Sequence, residues 1–501
     1  MRLLQPINAL RSALIDPARR ERSVLLALAA YTLLWALYGT ITKSSQGLSP
    51  DMTELVAWSR DLSFGYFKHP PLAAWLVRAW FSLLPVAEWS YYLLAMLMPA
   101  LTLWIVWQGS ADYLDVERRL AGLALLTLVP FFNFHALKYN VNTVLMPVWA
   151  ATSFWFLRSY RTRSTLYAAL AGIGAAACML GKYWSVFLIA GLIVAALVDR
   201  RRLDYMRSPA PYVTILAGAL ALSPHLVWLV HNHFAPFGYA VAIHGAKPLA
   251  ATVVGAIGYL IGSFGYVAVP VIIVLAVARP AAATIADIIW PATVKRRLAA
   301  GAFWAPLLLP AIAGLASGTE ITSLWSMPAW SLLPVLLLSS PAVKWRDIDT
   351  CRVLAAVVAL PLVMLIASPV IAIIAQRNGA NPTSAQAELL ATEIEREWRG
   401  LTDQPLRFVG GDADLAYGVA TYAADRPRAI TDMPQPSMPE LAQSGVVFVC
   451  FAEDSDCDRA VLQNFPQLQQ LRATQIELRR DFLGIAGKPR RYTIRIMARQ
   501  R

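Results

Sequence analysis

The sequence predicts a polytopic α-helical membrane protein that ends in a small soluble α/β domain. Three observations carry that class. Of the 501 residues, 57% are hydrophobic and only 15% charged, more apolar than a soluble chain of this size. The apolar residues gather into runs of roughly 17–25, the length that crosses a bilayer as a helix. From about Gln376 these runs stop and soluble-domain patterning begins.

Candidate spans fall near residues 24–41, 89–109, 119–134, 143–158, 165–181, 184–198, 211–230, 251–277, 300–317, 325–341 and 353–375, eleven in all. The first 23 residues are polar and Arg-bearing, and no small-residue cleavage site follows the first run, so it is expected to stay as an anchor. Pro130, His135 and Pro147 interrupt the 119–158 region. The net charge of +13 is spread over short clusters in alternate loops, which argues for membrane topology and against a nucleic-acid partner. Twenty-one Lys and Arg, from Arg2 to Arg352, occupy one set of loops. The opposite set before residue 376 holds seven: Lys43, Arg60, Lys68, Arg78, Lys138, Lys182 and Lys247. The richer side is cytoplasmic. The amino terminus is therefore expected inside, and an odd span count puts the tail outside.

Between the first two spans lies an outer loop, 43–88, whose segment Pro50–Trp75 is rich in ionisable and aromatic residues. A long polar loop in such a scaffold is usually functional. One short helix is predicted over Met52–Leu62, with Leu55, Val56, Trp58 and Leu62 suited to the bilayer surface. Another is predicted over Leu72–Leu84, after the Pro70–Pro71 pair, which permits a first helical turn.

Residues 1–375 are thus expected to form the membrane domain and 376–501 a periplasmic α/β domain. In the latter, Ser384–Trp398 reads as an amphipathic helix with Leu389, Leu390, Ile394 and Trp398 as its stripe. Strand-like runs follow at Leu406–Val409, Ala429–Thr431, Val446–Phe451, Gln475–Leu478 and Tyr492–Met497, with Pro434 and Pro436 as a break. Of the four Cys, only Cys450 and Cys457 lie close in sequence, and an oxidising compartment would let them bridge.

The chemistry-bearing residues sort to one face. All six His (His69, His135, His225, His231, His233 and His244) map to the outer loops or outer span ends, as do Lys138 and Lys182. A polar cavity open to that side is one reading; ordinary loop polarity is the other. His231 and His233 point to different helix faces, which speaks against a metal pair. Lys68, Lys138, Lys182 and Lys247 could hold a phosphate or simply reach out of the bilayer. Asp51 has a capping-box spacing to Glu54, so an N-cap and a catalytic carboxylate both fit.

L-S-P-D-M-T-E-L-V-A-W-S-R-D-L-S-F-G-Y-F-K-H-P-P-L-A-A-W-L at 48–76 resembles the first outer loop of bacterial membrane glycosyltransferases of the GT-C class. These are relatives of the dolichyl-phosphate-mannose protein mannosyltransferases and the lipid A aminoarabinose transferases. H-A-L-K-Y-N-V-N-T-V-L-M-P-V-W at 135–149, M-L-G-K-Y-W at 179–184 and L-S-P-H-L-V-W-L-V-H-N-H-F-A-P-F at 222–237 are similar to later blocks of that class. The resemblance implies a GT-C fold in the bacterial inner membrane. It implies inverting transfer of one sugar from a polyprenyl-phosphate carrier to a hydroxyl of a glycolipid or other periplasmic acceptor, with lipid A or lipopolysaccharide core favoured. Asp51 matches the carboxylate that deprotonates the acceptor, with Glu54 the next acid. Lys68, His69, Lys138 and Lys182 are the donor-phosphate candidates, and Tyr66, Tyr139, Asn140, Tyr183, His225 and His233 further cavity candidates. Relatives commonly carry an acid ahead of the basic-Pro-Pro segment, which in the aminoarabinose branch helps hold a metal. Lys68 stands there, so no metal site and no cofactor are expected. The competing class, a transporter or lipid flippase, would show internal repeats or charges deep in the spans, and neither is evident.

Overall fold

The computed structural model of the chain describes residues 5–245, 247–379, 383–431, 436–466 and 473–498. It forms two compact units: Met1–Ala36, Lys68–Ala73 and Tyr92–Val363 make the first, and Leu37–Phe67, Ala74–Tyr91 and Met364–Arg501 the second.

The first unit is helical. Apolar side chains gain little from meeting each other in lipid, so its helices rely on close contact through small residues. A Cβ at Gly172 would lie 2.2 Å from the Thr214 carbonyl oxygen, which shows how near Thr165–Gly181 and Ala210–His231 approach. Thr214 Oγ1 also donates to the Ala168 carbonyl at 3.0 Å. Gly191 meets Pro306, and Gly122 meets Pro334, at similarly short range.

Among the described residues, six helices are long and apolar enough to cross a membrane: Arg20–Lys43, Glu88–Ser110, Ala210–His231, Leu249–Tyr266, Val294–Ser317 and Asp347–Asn378. Other expected spans differ in form. The 119–134 run is the helix Val116–Thr127 followed by a 3-10 turn, Pro130–Phe132. The 251–277 run is two helices, Leu249–Tyr266 and Ala268–Ala278. The 325–341 run begins as a ten-residue 3-10 helix, Ser323–Leu332, and becomes α-helical only over Leu333–Leu338. Pro328 and Pro334, each lacking an amide hydrogen, break the α-helical ladder there.

The second unit holds most of the outer loop and the C-terminal α/β fold. Its sheet has five strands: β1 (Phe408–Gly411), β2 (Arg428–Ala429), β3 (Val446–Phe451), β4 (Thr474–Leu478) and β7 (Arg490–Met497), in the order β2-β1-β3-β7-β4. A separate hairpin pairs β5 (Asp481–Phe482) with β6 (Ile485–Ala486). β1 runs parallel to β2 and β3, whereas β7 is antiparallel to β3 and β4. Every residue from Val446 to Cys450 is buried, which explains an unbroken apolar run in place of alternation. Helix Ala387–Arg399 buries Leu390, Ile394 and Trp398 but leaves Leu389 38% exposed, off the expected stripe. Pro434 lies outside the described residues. Cys450 and Cys457 are joined by a disulfide, with their Cα atoms 5.9 Å apart.

The outer-loop helix runs from Pro50 to Trp58, not from Met52 to Leu62. Met52, Leu55, Val56 and Trp58 are all buried and Leu62 is exposed. Protein rather than lipid covers the apolar face: Trp58 meets Tyr417 edge-on at 6.4 Å, and Thr421 Oγ1 donates to the Thr53 carbonyl at 3.3 Å. Both partners belong to helix Ala413–Tyr422, so this is a packed helix and not a bilayer-surface one. The second loop helix is Leu72–Phe81, and Leu83, beyond its end, is 83% exposed.

Candidate active site

Asp51 and Glu54 start from the same short helix. Its N-cap is Ser49, with φ −67° and ψ 156°, and Pro50 occupies the first helical position. Asp51 is therefore inside the first turn and is not the N-cap, which corrects the capping alternative. A carboxylate at that position faces the positive end of the helix dipole. Glu54, one turn on, is buried to 7% exposure.

Tyr66 serves to fold the loop back. Its hydroxyl lies 2.9 Å from the Trp58 carbonyl oxygen and 2.7 Å from that of Asp61, and its ring stacks on Trp58 at 5.0 Å. Burial pushes its phenol up to about 12, so it does not trade protons near neutrality. Arg78 caps the other end of the Pro50–Trp58 helix, donating from Nη1 to the Ser59 and Arg60 carbonyls at 3.0 and 2.9 Å.

The remaining candidates belong to the first unit. Lys182 directly follows helix Thr165–Gly181; its Nζ donates to Asn142 Oδ1 at 3.0 Å and stands 4.5 Å over the Trp325 ring. Lys68 Nζ is 5.9 Å over the Tyr239 ring. Tyr183 Oη is 3.0 Å from His225 Nε2, and its ring stacks on Phe237 at 4.7 Å. His244 meets the other side of this group, edge-on to Trp325 at 5.2 Å. Burial, and then the Lys182 charge, hold the His244 imidazole below its ordinary value, so it is neutral at pH 7. The structure thus gathers Lys182, Tyr183 and His225 with three side chains that sequence reasoning missed: Asn142, Phe237 and Trp325.

Other candidates have structural work. Asn140 is the N-cap of helix Val141–Thr162, its Oδ1 accepting from the amides of Asn142 and Thr143 at 2.9 and 3.3 Å. Tyr139 is fully buried and its hydroxyl donates to the Ala73 carbonyl at 3.4 Å, whereas Asn140 is half-buried. Lys138 and His233 are exposed, and His69 is half-buried. His233 adopts the left-handed backbone region, φ 51°, in the bend after Ala210–His231. Lys247 is ion-paired with Glu320 at 3.6 Å, which removes it from the phosphate-binding set.

Lys68 fills the acidic place ahead of His69-Pro70-Pro71, and among the described residues no three His, Cys, Asp or Glu side chains converge.

Residues 68–228 match the family model of the dolichyl-phosphate-mannose-protein mannosyltransferases. The lipopolysaccharide core galacturonosyltransferase RgtB of Rhizobium johnstonii is 28% identical over 218 residues, covering 43% of this chain. The chain spans only 44% of the length of that curated relative. Two crystal structures of ArnT from Cupriavidus metallidurans share the fold. The one bound to undecaprenyl phosphate has a TM-score of 0.61 and covers 94% of this chain and 98% of its own. The apo form has a TM-score of 0.62 and covers 95% and 97%. Both are 12% identical, so they speak for the fold alone. Over residues 68–228 the chain is thus similar in sequence to the dolichyl-phosphate-mannose-protein mannosyltransferases, and over nearly its whole length it has the fold of the ArnT structures.

Proposed function

We propose that the protein transfers a single sugar, with inversion, from a polyprenyl-phosphate carrier to a hydroxyl of a periplasmic glycolipid, in lipid A or the lipopolysaccharide core. One observation carries this reading: the stretch matched to the mannosyltransferase family, residues 68–228, begins at Lys68 and contains His69, Lys138 and Lys182. RgtB, a relative that acts on lipopolysaccharide core, supports the acceptor class. The ArnT structure bound to undecaprenyl phosphate supports the carrier.

In this reading Asp51 takes the proton of the acceptor hydroxyl while its oxygen bonds to the anomeric carbon. The bond between that carbon and the phosphate oxygen breaks, and the electron pair leaves with the polyprenyl phosphate. The leaving group gains one negative charge, so a general acid is dispensable and fixed cations are what the transition state needs. Lys68, His69 and Lys182 supply them, with Lys138 at the exposed edge. Aromatic faces under Lys68 and Lys182 hold each ammonium in place without neutralising it. The amino terminus is cytoplasmic, and the first outer loop and residues 376–501 are periplasmic, in keeping with the Cys450–Cys457 disulfide.

The test uses purified protein with a panel of polyprenyl-phosphate sugars and a lipopolysaccharide-core glycolipid. Glycosylated acceptor and free polyprenyl phosphate should appear in equal amounts, unaffected by chelator. Movement of carrier across vesicle bilayers with no new glycosidic bond would replace the reading with a flippase. Activity lost to chelator and restored by a divalent ion would overturn the role of Lys68.

A further inference from the structure

Within the second unit lies a cavity of about 470 Å³ that the proposed chemistry does not use. The end of the Pro50–Trp58 helix contributes Val56, Ser59 and Arg60; the Leu72–Phe81 segment contributes Arg78 and Phe81; the turn after helix Ala413–Tyr422 contributes Arg426. Three arginines line one space, and among its described lining residues there is no carboxylate. Of two nearby acids, Asp425 pairs with Arg399 at 2.6 Å, and Asp61, at 3.7 Å from Arg428, attracts the Arg60 charge less strongly than Arg426 repels it.

Like charges gathered in this way repel, and the strain shows. Burial, and then the charge of Arg426, bring the Arg60 guanidinium down to about 10. Arg60 Nη1 donates to the Pro427 carbonyl at a long 3.4 Å. Arg426 holds φ 49°, a left-handed backbone that a long side chain seldom adopts. Strained positions of this kind are kept where the side chain has a task. An anion in the cavity would relieve the repulsion, and planar guanidinium forks suit phosphate and carboxylate oxygens. Val56, Phe81 and Val86 add an apolar wall, which suits a group attached to an amphiphile.

We propose that the Arg60–Arg78–Arg426 cavity binds an anionic substituent, phosphate or carboxylate, of the acceptor glycolipid. This rests on the reading of the protein as a transferase to a glycolipid, and it adds the acceptor's chemistry. Arg60 follows the helix that begins beside Asp51, so the two are roughly 13 Å apart along an axis rising 1.5 Å per residue. The anionic group is then held one to two sugar units from the hydroxyl that reacts.

Three soluble disaccharide headgroups test this by binding to the purified protein: one phosphorylated, one bearing a uronic acid, and one neutral. Wild type should favour an anionic headgroup over the neutral one by roughly tenfold or more, the range of one or two charge-assisted hydrogen bonds. Which anion it favours distinguishes phosphate from carboxylate. Arg426→Gln, at an exposed site, and Arg60→Gln should each erase most of that preference. In turnover, Arg426→Gln should raise KM for the anionic acceptor while leaving donor KM and kcat unchanged. Equal binding of all three headgroups, or a preference that survives both variants, would overturn the proposal. A wild type that binds the anionic headgroup but transfers no sugar from any carrier would sink the transferase reading and leave the anion site standing.

Discussion

At the scale of single residues, the role of Asp51 turns on where its helix starts. Because Ser49 holds the cap position, replacing Asp51 removes no capping residue. Asp51→Asn keeps the shape and removes the basicity, so it should fold as wild type, still bind the lipid donor, and lose about 10²–10⁴-fold in kcat, the usual worth of general-base help. Near-normal turnover would return Asp51 to the helix dipole and leave Glu54 as the next candidate. The side chains that act locally were legible in the sequence. Lys182 and Tyr183 adjoin in one motif, and His225 lies in another block that the family resemblance already singled out. Trp325 and Tyr239 were not, because their contacts with Lys182 and Lys68 join segments more than a hundred residues apart. Asn140 and Tyr139 also carry backbone contacts that the sequence does not show. A polar residue beside a span may serve a cavity or its own backbone, and only the cap geometry decides.

At the scale of elements, small residues set how closely helices meet. Gly172→Ala would drive a methyl carbon into the Thr214 carbonyl, a backbone atom that cannot swing aside. The pair Thr165–Gly181 and Ala210–His231 should separate, at a cost of about 1–3 kcal/mol, read as a lower melting temperature in detergent. Helix Ala282–Ile289 offers a pH-dependent case. Burial would raise the Asp287 carboxyl, but the Ala292 amide, the Ser340 hydroxyl and the Arg296 guanidinium outweigh it and hold it at about 2, against an ordinary 3.8. A depressed carboxyl stabilises the fold above its unfolded value and loses that contribution as pH falls through its folded value. Asp287→Asn should therefore lower the melting temperature at pH 7, and the gap from wild type should close between about pH 4 and 2. A constant gap across that range would deny the ion pair its role. Hydropathy located helices such as Thr165–Gly181 and Glu88–Ser110 closely, because length in an apolar phase is what it measures. It could not foresee the 3-10 stretch Ser323–Leu332, since apolar content does not report how the backbone hydrogen bonds run.

At the scale of the whole molecule, topology decides which chemistry is available. Twenty-one basic residues on one set of loops against seven on the other is a bias that insertion machinery reads, and the proposal that the C-terminal fold lies outside rests on it. The proposed topology and the Cys450–Cys457 bridge stand or fall together, because cytoplasmic reductants would keep the two as thiols. It joins the end of β3 to helix Ser455–Asn464, and a bridge of this kind typically contributes about 2–4 kcal/mol. Two measurements should agree. A reporter fused after Arg501 should be active only when exported. Alkylation of the unfolded, unreduced protein should label the two thiols Cys178 and Cys351, and all four Cys only after reduction. A cytoplasmically active reporter with four reactive thiols would turn the molecule over in the membrane. Asp51 and the arginine cavity would then face the cytoplasm, away from any glycolipid of the outer leaflet, and the acceptor assignment would fall with the topology.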